Sequence, residues 1–537
     1  MILLFAMLSC TDAPPDPMPE PASELVPLEG PAMVRRLSLD LRGVLPSVDD
    51  LARAEADPEA WREIRDEYLE DPLFEERMVQ LLAERWHTRV DVFDIVYSDY
   101  HLEPQQEYAF ERAVGEEPLR LMAHVITHDL PWTDAVTADY TMANDLLASI
   151  WPLDYPEGAT GWQPATYTDG RPGVGILSTN GLWWRYTTNN SNMNRSRAAA
   201  ISRLLLCEDF LARPVTFSAN DSDLSNLTNA ITANPYCVAC HASLDPIASS
   251  MFGFWWVVLY SRVEDTNYHP EREYLGQVYL DVNPAWFGQP MNGLSEMGYK
   301  IATDSRFFSC TVRSFAEQLW RRDAELTDFG ELEALRQTFL ESDARVKPLI
   351  QAITDTEVYR AGGTTARASE ETLANEQTAR LLSPMQLDTI LVDLTGFRWS
   401  WEGYDLLDND TWGFRVLGGG VDGVNVSRPQ QDPGLTWALV FKRATQGAAS
   451  FVVQNELVDG GERRLFTSVT LENRPGDPEF TAELEGLHWR LFAAHADAEW
   501  LSGVEELWTA VNAESDPATA WASVISTSLR DPAFVAY

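Results

Sequence analysis

Cysteine and histidine are scarce here: five Cys and eight His in 537 residues. No apolar run approaches the ~18 residues that a membrane helix needs, so beyond the N-terminus the chain reads as non-spanning. Cations are short too, with 40 Lys and Arg against 82 Asp and Glu, a net charge of −42. That imbalance repels nucleic acid and anionic lipid, and neither is expected as a partner. The acidic residues are dispersed rather than gathered into a tail, which reads as a solvated surface. Apart from one turn of chain considered below, motifs for chemistry are missing as well. There is no G-x-S-x-G elbow, and carboxylates are too abundant for any pair to stand out as glycosidase-like. The glycine-rich Gly173–Gly181 stretch lacks the Lys-Ser/Thr of a phosphate loop. No catalytic residue is assigned.

What the chain does have is apolar bulk. Hydrophobic residues make up 45% and aromatics 11%, including 19 Trp, as in a globular protein with large cores. Its length predicts two to four domains. Helical periodicity and Asp-Pro starts dominate, so the expected fold is mainly α: a multidomain helical protein with loop-rich insertions. Arg35 to Gly43 reads as a basic amphipathic helix. Further helices are predicted from Asp57-Pro58, from Asp71-Pro72 to Trp86, over Pro118–Thr127, Arg195–Leu211, Phe307–Trp320, Thr327–Leu340 and Val346–Tyr359. Helical periodicity fades between about 152 and 195, where Gly173–Gly181 reads as loop or short extended chain. Two patterns echo each other, Trp61-(seven)-Leu69-Glu-Asp71-Pro72-Leu-Phe74 and Trp521-(seven)-Leu529-Arg-Asp531-Pro532-Ala-Phe534. Asp40-Leu-Arg-Gly43 is similarly matched by Asp393-Leu-Thr-Gly396. They suggest duplicated helical units in which Trp61 and Trp521 are core residues.

The chemical signal is Cys237-Val-Ala-Cys240-His241. This is the C-x-x-C-H pattern of covalent haem attachment, with both thiols within reach of one porphyrin edge and His241 placed as the proximal iron ligand. A redox dithiol would sit in a βαβ context, and zinc would need two more ligands than the neighbourhood offers. One covalent haem c is therefore expected, and the opposite iron position decides its use. Met297 or Met291 have room to cross the ring; Met251 lies close in sequence. His269 and the His124/His128 pair are further candidates, though each methionine also suits ordinary core. Cys207 and Cys310 remain as a possible disulfide or as two separately buried thiols.

The N-terminal run Met1 to Leu8-Ser9-Cys10 looks like a bacterial lipoprotein signal, with Cys10 as the lipidated residue. A proline-rich spacer or disordered tail follows. The expected division is a signal over 1–10, a linker over 11–32, a helical domain over 33–151, and a haem-bearing region with a small helical domain over 152–360. A second linker over 361–379 and a C-terminal helical domain over 380–537 complete it.

Assembled, these segments resemble the planctomycete-type multidomain cytochrome c proteins, most of whose domains have no known function. Arg35-Arg36-Leu-Ser-Leu-Asp40-Leu-Arg-Gly43-Val-Leu-Pro46-Ser47 resembles the opening of one such domain, and Thr137–Asn144 a segment of another. Cys237–His241 with Asp245-Pro246 is similar to the haem-bearing domain, where Asp245 reads as a helix cap. Ser305–Arg313, Arg380–Gly396 and Trp521–Tyr537 resemble further helical domains. The resemblance implies an exported c-type cytochrome, periplasmic or a lipoprotein of the outer membrane or cell surface. Electron transfer with an unidentified redox partner is favoured over a haem oxidoreductase with an open iron site, or a scaffold with structural haem.

Overall fold

In this computed structural model the described residues are 24–89, 97–213, 235–254, 267–375 and 378–537. The signal and lipidation site at Cys10, and most of the proline-rich tract, lie outside them. Helix starts follow local chemistry. Ser47 accepts the Asp50 N–H (3.0 Å), Asp71 that of Leu73 (2.8 Å), and Asp304 that of Arg306 (3.0 Å). Each bond satisfies a backbone donor that the first helical turn leaves unpaired. The outcome is a mainly α, multidomain fold.

Helices α1 (Gly30–Leu41), α2 (Val48–Ala56), α3 (Trp61–Tyr68), α4 (Pro72–Trp86) and α5 (Glu107–Thr127) form the N-terminal layer. The expected amphipathic helix forms, but its polar face is not solvated: α1 is buried on nearly all sides, its arginines included. Arg35 reaches the carbonyls of Leu491 (3.3 Å) and Phe534 (2.9 Å), while Arg36 donates to those of Tyr359 (2.8 Å) and Ala361 (2.7 Å). Guanidinium groups can be buried because their donors find fixed acceptors. Helix α5 also overrides its expected start at Pro118 and passes straight through that proline. Pro118 has no N–H for the Val114 carbonyl. Gly181 packs there so closely that a Cβ would lie 1.9 Å from that oxygen. Glu117, wholly buried beside it, accepts from Tyr167 Oη (2.7 Å), Thr141 Oγ1 (3.0 Å) and the Asn180 N–H (2.9 Å).

The chain continues through the short α6 (Asp134–Thr137), α7 (Asp145–Ile150) and α8 (Asn180–Arg185) to α9 (Arg195–Leu206) and α10 (Pro235–Ser249). Where loop was expected, Gly175–Ser178 forms a 3-10 turn leading into α8. Strands Thr141–Ala143, Gln163–Tyr167 and Leu153–Asp154 form a small antiparallel sheet in that order. Helix α9 stops short of Leu211 because Cys207 takes a left-handed conformation (φ 54°). Then come α11 (Leu275–Leu280), α12 (Leu294–Ala302), α13 (Ser305–Trp320), α14 (Phe329–Glu341) and α15 (Val346–Asp355). Thr356 ends α15 and caps the separate turn Glu357–Arg360, where one continuous helix was expected.

One hydrophobic cluster runs from Met33 to Tyr359, and a second joins Leu39 and Leu45 to residues between Leu382 and Tyr537. Ala361–Thr364 pairs antiparallel with Leu25–Pro27 where linker composition was read. Beyond it lie α16 (Pro384–Thr395), α17 (Leu435–Val453), α18 (Pro478–Phe492), α19 (Ala498–Glu514) and α20 (Pro517–Ser528). The two cores are fastened by Asp40. Its carboxylate accepts from Tyr537 Oη (2.7 Å), Tyr359 Oη (3.1 Å) and Arg380 Nη1. Burial pushes the Asp40 carboxyl up, but the charges of Arg380 and Arg321 and the Tyr537 hydroxyl outweigh it, so it lies below the usual range.

The echoed segments share local geometry. Trp61 and Trp521 are both buried. Asp71 and Asp531 each accept the N–H two residues on, at 2.8 and 2.9 Å, with proline opening the next helix. Gly43 and Gly396 have φ of 74° and 72°, the left-handed end that glycine permits. The likeness stops at Asp393, which is exposed where Asp40 is buried.

Candidate functional site

The C-x-x-C-H residues lie in the first turns of α10, where offsets of three and four put Cys237, Cys240 and His241 on one face. Both thiols are free and half-buried. Further along the helix, Ile247 and Ala248 are fully buried and anchor it in the large core. His241 keeps 24% of its side chain exposed, and its Nδ1 lies 2.8 Å from Asp245 Oδ1. Asp245 in turn receives a two-pronged grip from Arg195, Nε to Oδ1 at 2.7 Å and Nη2 to Oδ2 at 2.9 Å. Arg195 is the first residue of α9, so the grip also ties that helix to α10.

Asp245 therefore does not cap a helix, as its sequence context suggested. It sits inside α10, followed by Pro246 in the same helix, and serves as acceptor for an imidazole and a guanidinium. Burial works to raise the Asp245 carboxyl, but hydrogen bonds from Arg195 and His241 outweigh it and hold it below the usual range. A carboxylate on Nδ1 fixes that nitrogen as the one carrying hydrogen. In the neutral imidazole Nε2 then keeps the lone pair, the arrangement typical of a histidine that binds a metal.

The sequence also names candidates for a second ligand to an iron held by His241. Met251, Met291 and Met297 are all buried in the large core. His269 Nδ1 lies 3.1 Å from Glu271 Oε1. His124 and His128 lie with ring centres 3.9 Å apart and planes tilted by 34°, and burial, followed by the charge of His128, lowers His124 to about 4. Among the described residues no group of three or more His, Cys, Asp or Glu is placed to hold a metal ion. Cys207 and Cys310 are joined in a disulfide, linking the end of α9 to α13. The aromatic stretch from Phe252 is described only to Phe254; its remainder lies outside the described residues.

The clasp on His241 was not foreseen, because Arg195 is 50 positions from Asp245. The available hint was an aspartate one helical turn after the motif histidine.

Residues 28–153 match a family described as PSD4, protein of unknown function (DUF1592). The matched stretch holds α1 to α7, with Asp40 and the two arginines beside it. It ends well before α10. No curated protein and no solved structure matches the chain.

Proposed function

We propose that this chain is a c-type cytochrome that carries one covalent haem on α10 and works in electron transfer. The observation that carries the reading is the His241–Asp245 hydrogen bond beside two free thiols on one helix face. The donor set fits the group. The Cys237 and Cys240 thiols would each add across a vinyl group, sulfur bonding to the inner carbon and hydrogen going to the outer one. His241 would present Nε2 to the iron, while Asp245 retains the hydrogen on Nδ1 and Arg195 keeps Asp245 ionised. When bound, haem supplies a one-electron couple. The buried Ile247 and Ala248 anchor the helix that would hold it.

The Cys207–Cys310 disulfide supports an oxidising compartment, and with it the exported, lipid-anchored placement read from the N-terminus. No helix among the described residues is long and apolar enough to cross a membrane. The match over 28–153 supports kinship with planctomycete-type multidomain cytochromes, which contain such domains of unknown function.

The test is expression of the full chain together with cytochrome maturation factors. A haem-stained band should survive a denaturing gel and vanish in the Cys237→Ser/Cys240→Ser variant. A colourless wild-type protein ends the reading. The ferrous spectrum then separates the uses: a low-spin form indifferent to carbon monoxide fits a carrier, whereas ready binding fits an enzyme with an open iron position.

A further inference from the structure

Between the end of α4, the last turn of α9, α13 and the 419–431 loop lies a cleft of about 670 Å³. In a chain with twice as many carboxylates as cations, six arginines reach it: Arg85, Arg203, Arg321, Arg322, Arg380 and Arg428. Four of them are matched. Arg321 faces Glu84 (3.3 Å), Arg322 grips Asp328 (2.6 Å), Arg428 pairs with Asp323 (2.6 Å), and Arg380 binds Asp40. The carboxylates lining the cleft are occupied as well. Glu84 and Asp323 are in those pairs, Glu317 holds Arg313 (2.7 Å), and Asp209 accepts the Leu211 N–H (2.8 Å).

Arg85 and Arg203 are left over. Arg85 Nη2 touches only sulfur, 3.5 Å from Cys207 Sγ, and Arg203 Nη2 makes a long contact of 3.5 Å with Tyr186 Oη. Neither has a carboxylate within ion-pair distance among the described residues. His87, on the same wall, is driven down to about 4 by burial and then by Arg185 and Arg203, so it adds no charge at neutral pH. Two guanidinium groups without a direct ion-pair partner, Glu317 acting on Arg85 only from a distance, thus converge on a polar cleft whose volume suits a small organic molecule.

We propose that this cleft binds a small oxyanion carrying more than one carboxylate or phosphoryl group, with Arg85 and Arg203 as its principal contacts. Guanidinium groups recognise both kinds of group through paired N–H donors, so the two sources share one chemistry. The proposal stands apart from the haem reading, since no motif residue lines the cleft.

Calorimetric titration of the full chain at low salt with citrate and with pyrophosphate tests it and separates the two sources. At least one should bind, and Arg203→Gln and Arg85→Gln should each weaken it roughly tenfold, as expected for loss of a charge-assisted pair. Arg203→Lys, which keeps the charge but not the fork, should bind with intermediate affinity; it stands in if either glutamine variant misfolds by circular dichroism. Arg336→Gln, at a remote surface pair with Glu333, should bind as wild type. Silence with both probes overturns the proposal. So does wild-type affinity in folded Arg203→Gln, Arg85→Gln or Arg203→Lys, or an equal loss in Arg336→Gln.

Discussion

His241 and Asp245 face each other across one turn of α10, Nδ1 to Oδ1 at 2.8 Å, and Arg195 closes on the same carboxylate from α9. Removing the carboxylate strands a guanidinium that is only 16% exposed. Asp245→Ala should cost about 2–3 kcal/mol, the range for a charged partner left unmatched. Asp245→Asn, which still offers an oxygen to one donor, should cost clearly less. Urea unfolding of the haem-free chain measures both. A loss below about 0.5 kcal/mol in the alanine variant would show that the clasp is idle.

The Cys207–Cys310 disulfide closes a stretch with a sequence separation of 103, and α10 lies inside it. Cross-linking so long a loop removes unfolded-state entropy worth about 4–5 kcal/mol. Reduction, or Cys207→Ser/Cys310→Ser, should lower stability by that order without changing the native helix content. Equal denaturation midpoints with and without reductant would refute it.

Asp40 gathers Tyr537, Tyr359 and Arg380, from three distant parts of the sequence, onto one buried carboxylate. Asp40→Ala leaves Arg380, fully buried, without its counter-charge and should cost about 3–5 kcal/mol. Tyr537→Phe removes the hydroxyl's bond to Asp40 and the one it accepts from Gln386 Nε2 (3.1 Å), which keeps the Leu39 carbonyl, and should cost about 1.5–3 kcal/mol. Because these bonds tie the two cores together, Asp40→Ala should also split or broaden the melting transition seen by calorimetry. A sharp melt at the wild-type temperature would exclude the fastening role.

Whatever depends on three or four neighbouring residues could be read from the sequence. Asp71-Pro72 and Asp531-Pro532 start helices as their side chains dictate, and Gly43 and Gly396 take the left-handed ends that glycine allows. Cys237, Cys240 and His241 share a face because their spacing is helical. What depends on distant partners was hidden. Arg35 and Arg36 look like an exposed basic face until the carbonyls of Leu491, Phe534, Tyr359 and Ala361 are brought to them. Asp245 looks like a cap until Arg195 arrives. Pro118 looks like a helix start, yet tertiary packing carries α5 through it, with Gly181 set against the carbonyl it leaves open.

The last prediction concerns acid and base. Asp388, at the start of α16, is buried beside Asp405, and the half-exposed Arg398 reaches both. Burial, then the Asp405 charge, raises Asp388 to about 7, well above an unfolded aspartate near 4. The native state thus holds more protons than the unfolded one between about pH 4 and 7, so this group's stabilisation is complete below that window and lost as pH rises through it. Glu116 is the opposite case. Burial alone would raise it, but Arg112, Arg89 and Arg120 lower it to about 2, so its stabilisation is present above about 4.5 and fades as pH falls toward 2. Asp388→Asn keeps Glu116 and its three arginines, of which Arg112 faces both carboxylates, and removes the first effect. Urea midpoints measured from pH 4 to 8 should therefore fall less steeply with rising pH in the variant, which gains on wild type at pH 8 and not at pH 4. Parallel curves would show that Asp388 is already ionised throughout the range.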